Sequence, residues 1–169
     1  AKHPLVPLGI FRIRNVVGGN LVMLPVVAGA LGQFFFLSLY VQNVLHYSPV
    51  LSGLSFLPIP IIIGVISYHA PYFLGKFGFK PLAIVGTGLV SLGVFWISFL
   101  GVTSSYWTHL LPAFILLAVG FGISFVAITV AATSGVPADK SGLASGLINT
   151  SQQIGGALGL AVLAVVANT

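Results

Sequence analysis

Long apolar runs separated by short polar intervals dominate the sequence. Each run is at least 20 residues long and contains no Asp, Glu, Lys or Arg. The five runs are Gly18–Tyr40, Gly53–Leu74, Pro81–Leu100, Leu110–Thr133 and Ser141–Ala167. A helix needs about 20 apolar residues to cross a bilayer, whereas a barrel strand alternates apolar and polar positions. The pattern therefore predicts an all-α, polytopic membrane helical bundle of five transmembrane helices, forming a single transmembrane domain over residues 1–169.

The intervals between the runs differ in charge. Lys and Arg occur before the first run and in the second and fourth intervals, and the first and third intervals contain neither. The basic residues are Lys2, Arg12, Arg14, Lys76, Lys80 and Lys140. Because basic flanks stay on the cytoplasmic side, we predict a multi-pass protein of the cell (inner or plasma) membrane. Its N-terminus is expected in the cytoplasm and its C-terminus outside.

Composition narrows the possible functions. Hydrophobic residues make up 57% of the chain and charged residues 4%, against roughly 25% charged in a soluble domain, so the lipid bilayer is the first predicted partner. The basic residues are scattered, which predicts no nucleic-acid partner. The chain has no cysteine and its four histidines lack the spacing of metal ligands, so no metal and no cofactor is predicted.

An enzyme is not predicted either. The one acidic residue, Asp139, lies in an interval and not in an apolar run, so intramembrane proteolysis by paired carboxylates is excluded. A dyad of Ser145 and His69 is conceivable by position, but no oxyanion-hole arrangement can be recognised around Ser145.

The fifth run is the most polar. It carries three amides, Asn149, Gln152 and Gln153, and two glycine pairs, Gly142–Gly146 and Gly155–Gly159. Glycines four residues apart let a neighbouring backbone approach closely in lipid. A helical wheel places the amides with Gly142 and Gly146 on one face. Two interpretations remain: a buried seam in which the amides bond across the bundle, or a polar substrate path lined by them.

The first run carries an isolated amide, Gln33, followed by three phenylalanines from Phe34 onwards and then by Tyr40. An amide in hydrocarbon must find a partner. One interpretation is an interhelical hydrogen bond. The other is that Gln33, Phe34 and Tyr40 face a cavity that accepts large apolar or cationic compounds through ring stacking.

Several motifs resemble the major facilitator superfamily, and in particular the C-terminal half of its fourteen-span drug:proton antiporters, the multidrug efflux type. The motifs are Pro4–Leu8 with Phe11–Asn15, Phe34–Gln42, Tyr47–Pro49 with Gly53–Pro58, Ala131–Pro137 and Ser141–Gly159. The resemblance implies a partial C-terminal bundle, made of the first five of its six helices. It also implies a fragment, whose missing partners are the N-terminal bundle and the last helix. The transported substrates would be small hydrophobic or cationic compounds, exchanged for protons.

One loop departs from the family pattern. Where the superfamily often carries an acidic residue and two arginines between the second and third spans, this chain has Gly75, Lys76 and Lys80 around Gly78. A basic cytoplasmic turn is therefore expected without the charge latch attributed to that motif, since Lys is a poorer bidentate donor than Arg.

Together these observations predict transmembrane transport, as part of a proton-coupled exporter of hydrophobic or cationic drug-like compounds. The alternative is a non-transporting membrane scaffold or assembly subunit, whose glycine-rich faces only bind partner helices.

Overall fold

The computed structural model describes residues 8–101 and 104–167, and the regular structure within these ranges is helical throughout. Lys2 and the Pro4–Pro7 part of the N-terminal motif lie outside them. The α-helices are α1 (Arg14–Asn43), α2 (Pro49–Ser55), α3 (Pro58–Phe77), α4 (Phe79–Ile97), α5 (Leu111–Thr133) and α6 (Ser141–Ala167). Short 3₁₀ turns at Leu8–Arg12 and Ala138–Lys140 precede α1 and α6.

Four helical stretches within the described residues are long and apolar enough to cross a membrane. They are Arg14–Asn43, Pro49–Phe77, Phe79–Ile97 and Tyr106–Thr133. Helix α6, with 27 residues, is outside this set, and its N-terminal half carries Asn149, Gln152 and Gln153. The protein is thus an all-α, multi-pass membrane bundle, as predicted. Whether α6 also crosses the membrane remains a prediction.

The second predicted run is not one continuous helix. Helix α2 ends at Ser55, and α3 begins at Pro58. Between them Phe56 and Leu57 donate their backbone N–H groups to the carbonyls three residues earlier, at 3.2 Å each. Pro58 and Pro60 have no N–H to give to residues 54 and 56, so the α-helical ladder cannot pass through this point. By contrast, α1 continues through Pro25 and α3 through Pro71.

A widened turn leads into α5. The Leu111 N–H donates to the carbonyl of Tyr106, five residues earlier. This bond closes a π-helical turn over Tyr106–Leu110. Pro112 lacks the N–H that would bond residue 108 in an α-helix, which accounts for a π-type turn at this position. The turn brings the His109 carbonyl within 3.2 Å of the Trp96 indole nitrogen, which donates to it.

The chain divides into two compact units, with the boundaries inside α1 and α5. One unit combines Ala1–Phe34 with Ile128–Thr169, and the other is Phe35–Ala127. The core of the first is built on Ile10, Val16 and Ala144. The core of the second contains Leu37, Val41, Phe56, Leu110, Phe114 and Leu117. In it the rings of Phe56 and Phe114 stack with their centroids 5.1 Å apart.

A single residue, Gly78, joins α3 to α4. Its backbone has φ 76° and ψ 171°, a conformation essentially confined to glycine. Lys76 and Lys80 lie exposed on either side, and Lys76 Nζ is 5.4 Å from the centroid of the Phe77 ring. The structure thus has a one-residue turn with basic residues on both sides, and its cytoplasmic location remains a prediction.

Candidate functional site

Helices α1 and α6 approach each other closely through glycine. A side-chain Cβ on Gly159 would lie 2.5 Å from the Cα of Ala28, and one on Gly155 would lie 3.0 Å from the Cα of Leu24. Real Cβ atoms do not come so close to a backbone. The second glycine pair of the sequence thus lies where two backbones meet, in the arrangement that small residues allow in lipid.

A polar pair lies in the same seam. The Ser151 hydroxyl donates to Asn20 Oδ1 at 2.7 Å, and Asn20 Nδ2 donates to the Val16 carbonyl at 2.7 Å. Both side chains are partly buried. Sequence reasoning missed this pair. The available signal was that Asn20 is a second amide in the first apolar run, but its partner, 131 residues away, could not be identified from spacing.

The first glycine pair, Gly142–Gly146, lies on the side of α6 that faces away from α1. Within the described residues, nothing lies within 4 Å of the Cβ positions of Gly142 and Gly146, and Asn149 and Gln153 are exposed. These four residues follow one another at steps of four, three and four, which places them on one line along a helix. We call them the α6 polar stripe.

The stripe lies opposite the buried side of the same helical segment. Ala144 and Ile148 are 0% and 3% exposed and Ser151 is half-buried. At 3.6 residues per turn, the buried residues Ala144, Ile148 and Ser151 lie about half a turn around α6 from the four residues of the stripe. The expected packing role of Gly142 and Gly146 is therefore not seen within the described chain, because they point away from α1.

The remaining candidates are spread along α1 and α6. Gln152 and Gln33 are half-buried, and Phe34 is 52% exposed. Tyr40 lies in the second unit, where its hydroxyl donates to the Gly101 carbonyl at 2.6 Å. That hydroxyl is engaged with the chain's own backbone, so the part of Tyr40 that remains to contact a ligand is its ring.

Another tyrosine forms a similar contact in the second unit. Tyr106 donates its hydroxyl to the Ser55 carbonyl at 2.8 Å. It lines a surface groove of about 650 Å³ together with Tyr47, Trp107 and residues of α2 and α3. The break between α2 and α3 frees the Ser55 carbonyl for this bond.

Neither the dyad nor a metal site gains support from the geometry. His69 is exposed and its Nδ1 lies 2.9 Å from the Val65 carbonyl oxygen of the same helix. Over residues 8–101 and 104–167, no group of three or more potential metal-ligating His, Cys, Asp or Glu side chains is found.

Comparison with known proteins gives a consistent family match. The family described as Major Facilitator Superfamily matches residues 1–160. A cephamycin export protein of Amycolatopsis lactamdurans is 36% identical over 98% of this chain and 34% of its own length. A puromycin resistance protein of Streptomyces alboniger is 37% identical over 98% of the chain and 33% of its own length. A tetracenomycin C resistance and export protein of Streptomyces glaucescens is 33% identical over 98% of the chain and 31% of its own length. The chain thus spans about a third of the length of these relatives.

Proposed function

Because the chain belongs to the major facilitator superfamily, we propose that it is part of a proton-coupled membrane exporter of small hydrophobic or cationic compounds. In this proposal it is a transporter segment and not an enzyme. It works with an N-terminal bundle and a last helix, because the relatives that it matches are about three times as long.

The α6 polar stripe is the observation that carries the proposal. Asn149 and Gln153 are exposed on the side of α6 that faces away from α1. An amide in contact with hydrocarbon is costly, so a membrane helix with two such groups needs a polar surface opposite them. A water-accessible substrate path supplies that surface, and Gly142 and Gly146 leave room for a ligand to approach the backbone.

The aromatic groups of α1 fit the same function. Phe34 and Tyr40 offer ring faces, which bind flat apolar compounds by stacking and cations through the ring quadrupole. The side-chain amide of Gln33, next to Phe34, adds a hydrogen-bond donor and a hydrogen-bond acceptor. We propose that Gln33, Phe34 and Tyr40 are the residues of α1 that contact the transported compound, and that Asn149, Gln152 and Gln153 are those of α6.

The orientation of the protein in the membrane and the coupling of export to protons are also part of the proposal. We place the N-terminus in the cytoplasm, the protein in the cell membrane, and α6 across the bilayer as the fifth span. The α-helices α1 to α6 contain no Asp or Glu, so the carboxylates that carry protons would be supplied by the N-terminal bundle.

The test is drug efflux by the intact protein in bacterial cells that lack their own exporters. We expect Gln33→Ala and Asn149→Ala to reduce the efflux of a fluorescent lipophilic cation about fivefold at limiting concentration, because each loses roughly one hydrogen bond of about 1 kcal/mol. Membrane levels of both variants should equal that of the wild type.

Thr150→Val is the matched control. Thr150 is also exposed on α6, but it lies outside the stripe and its hydroxyl donates to the Gly146 carbonyl of its own helix at 2.9 Å. Efflux by this variant should be unchanged. Wild-type efflux in both Gln33→Ala and Asn149→Ala would remove these residues from the path, and no efflux by the wild-type protein would favour the membrane scaffold.

A further inference from the structure

An apolar cavity of about 320 Å³ lies between α3, α4 and α5. Five residues of α3, three of α4 and three of α5 line it, and all eleven are apolar. It begins beside the Gly78 turn, where Phe77 and Pro81 form part of its wall, and extends along α3 to Ile66. We call it the α3–α4–α5 cavity.

The wall of the cavity limits what it can hold. Sites for drug-sized ligands occupy roughly 300–1,000 Å³ and include a few polar groups that fix the ligand's orientation. This cavity is at the lower end of that range and offers no polar side chain. A hydrocarbon chain is the ligand that needs neither a larger volume nor a polar contact there.

Two positive charges lie beside the cavity. Lys76 precedes the lining residue Phe77, and Lys80 precedes the lining residue Pro81. Both lysines are exposed, and residues 35–127, which form this compact unit, contain no Asp or Glu. The unit therefore has no carboxylate of its own to neutralise them.

We propose that the α3–α4–α5 cavity binds an acyl chain of an anionic phospholipid, whose phosphate is held between Lys76 and Lys80. The arrangement matches such a lipid in both parts, since the apolar chain meets an apolar wall and the anionic headgroup meets two lysines. Lysines near the end of a membrane helix reach the headgroup level in this way. None of the residues of this site is among those proposed for the substrate path.

The test is lipid retention by the intact protein purified in detergent and analysed by native mass spectrometry. The probes are a phosphatidylglycerol and a phosphatidylcholine with identical acyl chains. We expect phosphatidylglycerol to be retained in preference to phosphatidylcholine. In the double variant Lys76→Gln with Lys80→Gln, its binding should fall about fivefold for each charge removed.

Two further variants test the contact with the lipid headgroup and the contact with the acyl chain separately. Lys140→Gln removes one positive charge outside this unit and should leave the preference unchanged. Val85→Trp fills the cavity from a lining position that is 54% exposed, so the helix can accept the larger ring, and it should reduce retention of both lipids. Equal binding of the two lipids by the wild type, an unchanged preference in the double variant, or full retention in Val85→Trp would each overturn the proposal.

Discussion

At the scale of single residues, the second unit has two buried hydroxyl groups without a hydrogen-bond partner among the described residues, those of Ser52 and Ser124, and Ser124 is the more deeply buried. Ser124 is 0% exposed, and its Oγ makes no hydrogen bond to any of the described residues. A side chain on Gly86 would clash with it, so the absence of a Cβ there makes room for the hydroxyl. A buried hydroxyl without a partner costs about 1–3 kcal/mol.

We therefore expect Ser124→Ala to raise the stability of the detergent-solubilised protein by about 1 kcal/mol, measured as a higher thermal midpoint. Ser91→Ala is the control on the facing helix, because Ser91 is exposed and already donates to the Thr87 carbonyl at 2.9 Å. It should leave the midpoint nearly unchanged. A lower midpoint for Ser124→Ala would show that the hydroxyl bonds its own helix.

Single residues also show where inference from sequence stops. A serine or threonine hydroxyl in a helix can donate to the carbonyl of the preceding turn, and Thr133 donates in this way to the Thr129 carbonyl at 3.0 Å. Ser124 has the same option by spacing and does not use it. The difference depends on which atoms of the neighbouring helix lie beside the hydroxyl. The periodicity of one helix carries no information about its neighbour. The hydrogen bond between Asn20 and Ser151 could not be predicted from the sequence for the same reason.

At the scale of helices, the two glycine pairs of α6 differ in their surroundings. A Cβ on Gly159 would meet the Cα and carbonyl oxygen of Ala28, whereas one on Gly146 would meet no atom of the described residues within 4 Å. We expect Gly159→Ala to lower the stability by about 1–3 kcal/mol, because α1 and α6 must separate. Gly146→Ala should be neutral or stabilising by up to about 1 kcal/mol, through helix propensity.

Thermal unfolding of the two variants in detergent measures this difference directly. Since both changes add one methyl group to the same helix, propensity alone would move their midpoints equally. Equal midpoints would therefore contradict the observed seam between α1 and α6. The opposite order would place the contact face of α6 on the polar stripe.

The helices themselves were the most predictable part of the structure. Each predicted run overlaps a helix, because a long uncharged apolar segment has few alternatives in a membrane. Pro58 and Pro60 indicate a bend in the second run, but neither the complete break at Phe56–Leu57 nor the π-type turn at Tyr106–Leu110 follows from the sequence. Both lie next to prolines, where the missing N–H is visible in the sequence but the backbone's response depends on neighbouring contacts. Here those contacts are the bond from Tyr106 to Ser55 and the bond from Trp96 to His109.

At the scale of the whole molecule, the proposed orientation makes a prediction about labelling. The chain has no cysteine, so a single introduced thiol reports its own position. With the N-terminus in the cytoplasm, Ser105 would lie outside, Ala138 inside and Val166, near the end of α6, outside, because α5 and α6 would each cross once. A membrane-impermeant maleimide should therefore label Ser105→Cys and Val166→Cys in intact cells, and Ala138→Cys only after permeabilisation. The physical reason is that Lys76, Lys80 and Lys140 resist translocation. Labelling of Ala138→Cys alone would mean the inverted orientation. Labelling of Ser105→Cys without Val166→Cys would mean that α6, the most polar of the long helices, lies at the membrane surface and that its amides line no path.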